Sequence, residues 1–228
     1  MNQVLANSTK TVKDSPNLWL GQVLHIACLM ILLIALFLIW SALEHPFPLI
    51  FWAAVATPVL HQVFVWIAWR TELRSSTTSN VIGFHGYLVI FFGLFVGRFV
   101  SLALLAWVDK GSLNLPGPVA IVLSVLIAIP GLYAIYSVRR YFGMTRAAGA
   151  DHFDERYQKM PLVRKGIFRF TDNGMYLYAF LTFWAIAIGF NSLSALVVAA
   201  FSHAYIWVHF FATEKPDMDY IYEQHDLN

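Results

Sequence analysis

Two polar strings interrupt an otherwise apolar chain: GIFRFTDNGMY, Gly166 to Tyr176, and TEKPDMDYIY, Thr213 to Tyr222. Asp172, Asn173 and Gly174 form a strong turn signal immediately before an apolar run. A turn entering a helix leaves backbone N–H groups pointing outward, a seat for a carboxylate; alternatively Asp172 or Asn173 serves only as the helix N-cap. Glu214 closes a long apolar run, where a carboxylate accepts from a diol or pairs with a cation. Its plainer role is an interfacial charge paired with Lys215. Tyr141, Phe142, Gly143 and Met144 put aromatic surface beside a glycine, suited to a flat heterocycle close to the backbone, although aromatics at a membrane interface also act as anchors.

Three further groups have chemical potential. Arg98 lies well inside an apolar run, where a charge needs a partner, a cavity or a route to the interface; it is a clamp for a phosphate, or a buried pair or snorkelling side chain. His203 and His209 are candidate bases, about 240° apart around an ideal helix, so they are not a same-face metal pair. No HExxH spacing occurs, and no metal is expected. His25, His61 and His85 fall on different apolar runs, which leaves a haem-binding redox protein as an alternative from another class.

The elements that must position these residues are membrane helices. Hydrophobic residues make up 59% of the chain and charged residues only 12%, against roughly 25% charged in soluble domains. Runs of spanning length, about 20 residues, lie near Leu18–Leu43, Pro48–Trp69, Val81–Trp107 and Pro118–Val138. From Leu177 to Thr213 two more helices are expected, joined by a tight turn at Gly189 to Ser192, the first of them short unless it starts near Met175. The expected architecture is thus an all-α integral membrane protein of about six transmembrane helices with a C-terminal helical hairpin and cytoplasmic loops. It divides into an N-terminal arm (1–17), a three-helix scaffold (18–117) and a C-terminal core (118–228).

The first apolar run is too long for a cleavable signal and is expected to stay in the mature protein. With both termini cytoplasmic, Lys10, Lys13, Arg70, Arg74, Lys215 and the basic residues from Arg139 to Arg169 fall inside, leaving only Lys110 outside. That basic loop is topogenic, or also contacts anionic headgroups. Within the connection from Arg139 to Met175, the fourth helix is expected to continue through Arg146. A loop around Gly149 and a short helix near Phe153–Met160, ended by Pro161, come next. Pro216 is expected to stop or redirect the last membrane helix. Cys28, the single cysteine, reads as packing. A bilayer and a membrane lipid are the expected partners, nucleic acid is not, and oligomeric state is left open.

Taken in order, Tyr141-Phe142-Gly143-Met144, Gly166-Ile167-Phe168-Arg169, Asp172-Asn173-Gly174-Met175-Tyr176 and Glu214-Lys215-Pro216 with Ile221-Tyr222 resemble the phospholipid methyltransferase pattern. The likeness runs from Tyr133 to Tyr222 and is to phosphatidylethanolamine N-methyltransferases, relatives of isoprenylcysteine carboxyl methyltransferases. The resemblance implies an enzyme whose last helices and cytoplasmic loops enclose S-adenosylmethionine while a lipid arrives sideways from the bilayer. It implies cofactor contacts from Tyr141, Phe142, Gly143, Met144, Gly166, Phe168, Asp172, Asn173, Gly174, Met175, Tyr176, His203, Glu214 and Lys215. Asp172, Glu214 and His203 are the expected catalytic groups, and Arg98 and Arg169 the expected lipid contacts. The leading acceptor is a headgroup amine; a prenylated thiol's carboxylate or a small lipophilic thiol would keep the fold and change the substrate. The family usually has proline where Gly174 stands and often a second acidic residue where Lys215 stands.

Overall fold

The computed structural model describes residues 15–44 and 46–225, with side chains as far as Tyr222. Most of the arm expected over 1–17, with Lys10 and Lys13, lies outside the described residues. Within them the fold is all-α, without strands. The long helices are α1 (Gln22–Ala42), α2 (Pro48–Ser75), α3 (Gly83–Val108), α4 (Gly117–Ser137), α5 (Leu181–Gly189), α6 (Leu193–His209) and α7 (Lys215–His225). Five helical stretches are long and apolar enough to cross a membrane: Gln22–Ala42, Pro48–Ser75, Gly83–Val108, Gly117–Phe142 and Leu193–Tyr222. A sixth apolar stretch, Met175–Gly189, is shorter.

These helices form because their sequences are apolar on every side, the pattern of a span rather than of a surface helix, and because a helix satisfies its own backbone where water is absent. Their outer faces stay greasy: Val23, Ile31, Leu49 and Ile121 are among the many large apolar residues left exposed to the bilayer. Inside, aromatic contacts bind α1 to α2, with Trp40 stacked on Phe51 at 5.6 Å, and α3 to α5, with Phe99 against Phe183 at 4.6 Å. The α5–α6 hairpin turns at Asn191, whose φ is +58°, and Ser192 caps α6 by accepting from the Ala195 N–H at 3.1 Å.

The structure departs from the sequence expectations in two places near the site. The fourth helix does not run through Arg146: a π-helical turn over Val138–Phe142 ends at Gly143, whose φ is +94°, and a separate turn, Met144–Ala147, comes after it. Pro216 does not stop the last helix either. A π-helical turn, Phe210–Glu214, carries the helix on without a break into α7 at Lys215. The segment beyond Pro216 is not superficial, since Asp217 and Ile221 are buried.

Candidate functional site

α2, α3, α6, the Met144–Ala147 turn and the start of the 175–189 helix surround a cavity of about 190 Å³. One wall is aromatic, with Trp69, Phe91, Phe95, Phe99 and Phe180. The polar groups are few: His61, Gln62, Arg98, Tyr176, His209 and Glu214, with the thioethers of Met144 and Met175 beside them. This composition is that of a ligand pocket, mostly apolar with a handful of orienting groups.

Glu214 reaches the cavity because the π-helical turn carries it there at the end of α6. The Tyr176 hydroxyl, on the π-helical turn Met175–Ala179, donates to Glu214 Oε2. Two polar strings far apart in sequence therefore meet in one hydrogen bond. Deeper in the cavity Arg98 Nη1 lies 3.4 Å from His61 Nδ1, and its guanidinium lies over Phe180 at 5.1 Å and Phe183 at 5.5 Å. Its Nε and Nη2 have no hydrogen-bond partner, nor do His61 Nε2 and both ring nitrogens of His209. Unpartnered buried polar atoms cost roughly 1–3 kcal/mol each, so several around one cavity mark a place prepared for a polar ligand.

The other anticipated residues are distributed around this centre. Phe142 and Phe168 stack at 5.2 Å in a small core beneath the Arg139–Met175 connection. Gly166 brings that connection against α4: its φ is +62°, a Cβ would stand 2.4 Å from Ser137 Oγ, and the same hydroxyl accepts from the Ile167 N–H at 3.0 Å. Gly174 is buried, and a Cβ there would stand 2.8 Å from Ile167 Cγ2, a physical reason for glycine at this position. Neither Asp172 nor Asn173 caps the following helix through its side chain; Asp172 is exposed, and the Asn173 carbonyl accepts from the Leu177 N–H at 3.0 Å.

Tyr141 and Arg169 are exposed and, like Gly143, do not line the cavity. Lys215 does not pair with Glu214; its ammonium bonds to Asp219 at 2.9 Å on the surface of α7. His203 stacks on Phe180 at 5.3 Å and accepts from Trp184 Nε1 at 3.2 Å, outside the cavity lining. His25, His61 and His85 do not form a common site: His25 is held by Gln22 and Tyr205, and His85 is exposed. Among the described residues no group of three or more His, Cys, Asp and Glu is arranged to hold a metal ion.

Sequence reasoning missed the network that closes this end. Arg70 Nε forms a buried ion pair with Asp217 at 2.7 Å, tying α2 to α7, and donates from Nη1 to the Asn17 carbonyl at 2.8 Å. His152, in the turn Ala150–His152, sits between Asp151 at 3.3 Å and Asp217 at 3.4 Å and stacks on Trp69 at 4.0 Å. Burial opposes protonation of His152, yet hydrogen bonds and charge from Asp151 and Asp217 push its pKa from 6.5 up to about 9. Trp69 lines the cavity, so the network also fixes one of its walls. Arg70 was legible only as a topogenic charge, and Asp217 resembled any acidic residue of a surface helix.

Residues 119–225 match the family model of the phospholipid methyltransferases. That stretch holds Met144, Met175, Tyr176, His209 and Glu214, while Arg98, His61 and Trp69 lie before it. Neither a curated protein nor a solved structure matches the chain.

Proposed function

We propose, from the match of residues 119–225 to the phospholipid methyltransferase family model, a methyltransferase that uses S-adenosylmethionine to methylate a lipid headgroup amine, with phosphatidylethanolamine the leading acceptor. The observation that carries the reading is the meeting of Glu214 and Tyr176 at a cavity also lined by Arg98 and His209, whose buried nitrogens lack hydrogen-bond partners. The donor set suits a sulfonium cofactor: one carboxylate, aromatic faces that tolerate a cation, and an apolar enclosure. Met144, Met175, Tyr176 and Glu214 would hold it. When bound, it supplies an electrophilic methyl group.

The chain's own residues then position and dry the reaction. The aromatic wall of Trp69, Phe91 and Phe95 excludes water, which strengthens every charge interaction inside. Arg98 offers two free donors to the lipid phosphate, the anion whose geometry a guanidinium matches best. An amine acceptor must lose a proton before or during attack. His209 has both nitrogens unengaged at the cavity, whereas His203 is already bonded to Trp184; His209 therefore takes that proton, and Glu214 stabilises the cationic donor. The cavity mouth at residues 139–174 faces the cytoplasm in this reading, because the basic residues gather there.

Purified protein given labelled cofactor and a panel of lipids should bind the cofactor and label phosphatidylethanolamine. Failure both to bind cofactor and to transfer a methyl to any lipid of the panel would overturn the reading. Transfer to a carboxylate or thiol instead would move the acceptor and remove the need for His209.

A further inference from the structure

On the side of the cavity away from residues 139–174, α3, α4 and α5 leave a groove of about 380 Å³. Phe99 and Ile135 belong to the walls of both spaces, so the cavity and the groove adjoin there. Along α4 the groove follows Ile135, Leu132, Ala128 and Ser124, a stripe at helical spacing about three turns or roughly 16 Å long. Across it stand Thr182 and Gly189. α4 and α5 approach closely alongside, since a Cβ on Gly131 would lie 3.0 Å from the Thr182 nitrogen and one on Gly189 2.8 Å from Ser124 Oγ.

The groove is mostly apolar, and its two hydroxyls already donate to backbone carbonyls. Ser124 Oγ donates to the Ala185 carbonyl at 2.7 Å and Thr182 Oγ1 to the Ala179 carbonyl at 2.6 Å. Its occupant must be hydrocarbon. The groove also lies in the middle of the span Gly117–Phe142, about two turns from either end. Along the 175–189 helix the order is Tyr176, then Phe180 beneath Arg98, then Thr182 and Gly189. Polar end, cationic junction and apolar track thus succeed one another across the bundle as amine, phosphate and chain do in a phospholipid.

We propose that this groove binds one acyl chain of the lipid whose headgroup occupies the cavity, with Arg98 at the junction holding the phosphate. The substrate is accordingly a chain-bearing amphiphile, and a soluble headgroup or a short-chain analogue is held poorly. The assignment rests on the methyltransferase reading only for what happens to the headgroup.

The test uses the full chain in nanodiscs with a trace of ethanolamine phospholipid carrying a diazirine midway along one acyl chain, followed by mapping of the adducts. Adducts should concentrate on the Ser124–Leu132 stretch and on Thr182–Gly189. Ala128→Trp should lower them about tenfold, the effect of displacing two methylenes from an apolar site. Leu126→Trp, on an exposed part of α4, should leave them unchanged. Should Ala128→Trp not fold, Ala128→Leu takes its place, and the map of the unaltered chain decides in either case. Adducts spread evenly over the exposed faces of α1 and α4, or a groove signal indifferent to residue 128, would overturn the proposal. Groove adducts without methyl transfer would support the groove and count against the methyltransferase reading; methyl transfer without groove adducts would do the reverse.

Discussion

Two regions of the helical bundle, one end and the central cavity, treat buried polar groups in opposite ways. At the end formed by the α3–α4 and α5–α6 connections, Asp109 Oδ2 accepts from Ser192 Oγ at 2.6 Å, Ser112 Oγ at 2.7 Å and the Ser194 N–H at 2.9 Å. Asn191 both accepts from the Leu115 N–H at 3.1 Å and donates to its carbonyl at 2.8 Å. Each of these groups is paired, and none of them lines the cavity. Around the cavity, by contrast, Arg98, His61 and His209 keep buried atoms without partners. Saturated polar groups stitch a loop to its helices; unsaturated ones beside a cavity wait for something else. Both clusters are polar groups in an apolar bundle, and their satisfaction separates architecture from candidate site.

The contrast breaks most sharply at Glu214. Glu214→Gln keeps the hydrogen bond from Tyr176 within reach but removes the charge, and methyl transfer should fall by about 10²-fold or more, read as turnover with thermal stability unchanged. At the saturated end the effect should be on folding instead. Asp109→Ala strands three donors at once and should cost about 3 kcal/mol, read as a shifted unfolding midpoint in detergent, while turnover per folded molecule is kept. Arg98→Leu inverts that pattern: it removes an incompletely partnered buried charge, so stability should hold or rise. The apparent affinity for lipid should fall about tenfold, seen in KM for lipid and not for cofactor.

The smallest effect concerns His152, which the two carboxylates keep protonated. Its folded-state pKa of about 9 exceeds the ordinary 6.5, so the stabilisation is complete below pH 6.5 and is lost as the pH rises through about 9. Asp151 and Asp217 are the charged groups that face it. Hydrogen-exchange protection factors over residues 139–174 and α7, with the intrinsic pH dependence of exchange divided out, should fall across that window and remain constant in His152→Gln, which cannot titrate.

Much of the fold could be read in advance because a bilayer permits so few solutions. Runs such as Gln22–Ala42 and Gly83–Val108 are apolar all round, and only helices satisfy their backbone in hydrocarbon. The hairpin turn announced itself through Gly189 and Asn191, residues that break helices by their own backbone preferences. The site was legible in part. Met144, Met175, Tyr176, Glu214 and Arg98 line the cavity, but Tyr141 and Arg169 face outward and His203 is engaged elsewhere, because a motif gives order along the chain and not the direction of each side chain. Helix breaks were read least well: the π-helical turns at Val138–Phe142 and Phe210–Glu214 rotate the residues after them, so neither Arg146 nor Pro216 behaves as a regular helix would require.

The sequence by itself determined that the chain is a bundle of membrane helices, because hydropathy and turn chemistry act over a few neighbouring residues. Tertiary structure alone decided that Glu214 meets Tyr176, that Arg70 meets Asp217 and that His209 and Arg98 lack hydrogen-bond partners at one cavity. Those facts depend on how helices distant in sequence rotate against one another, and packing among the spans sets that rotation.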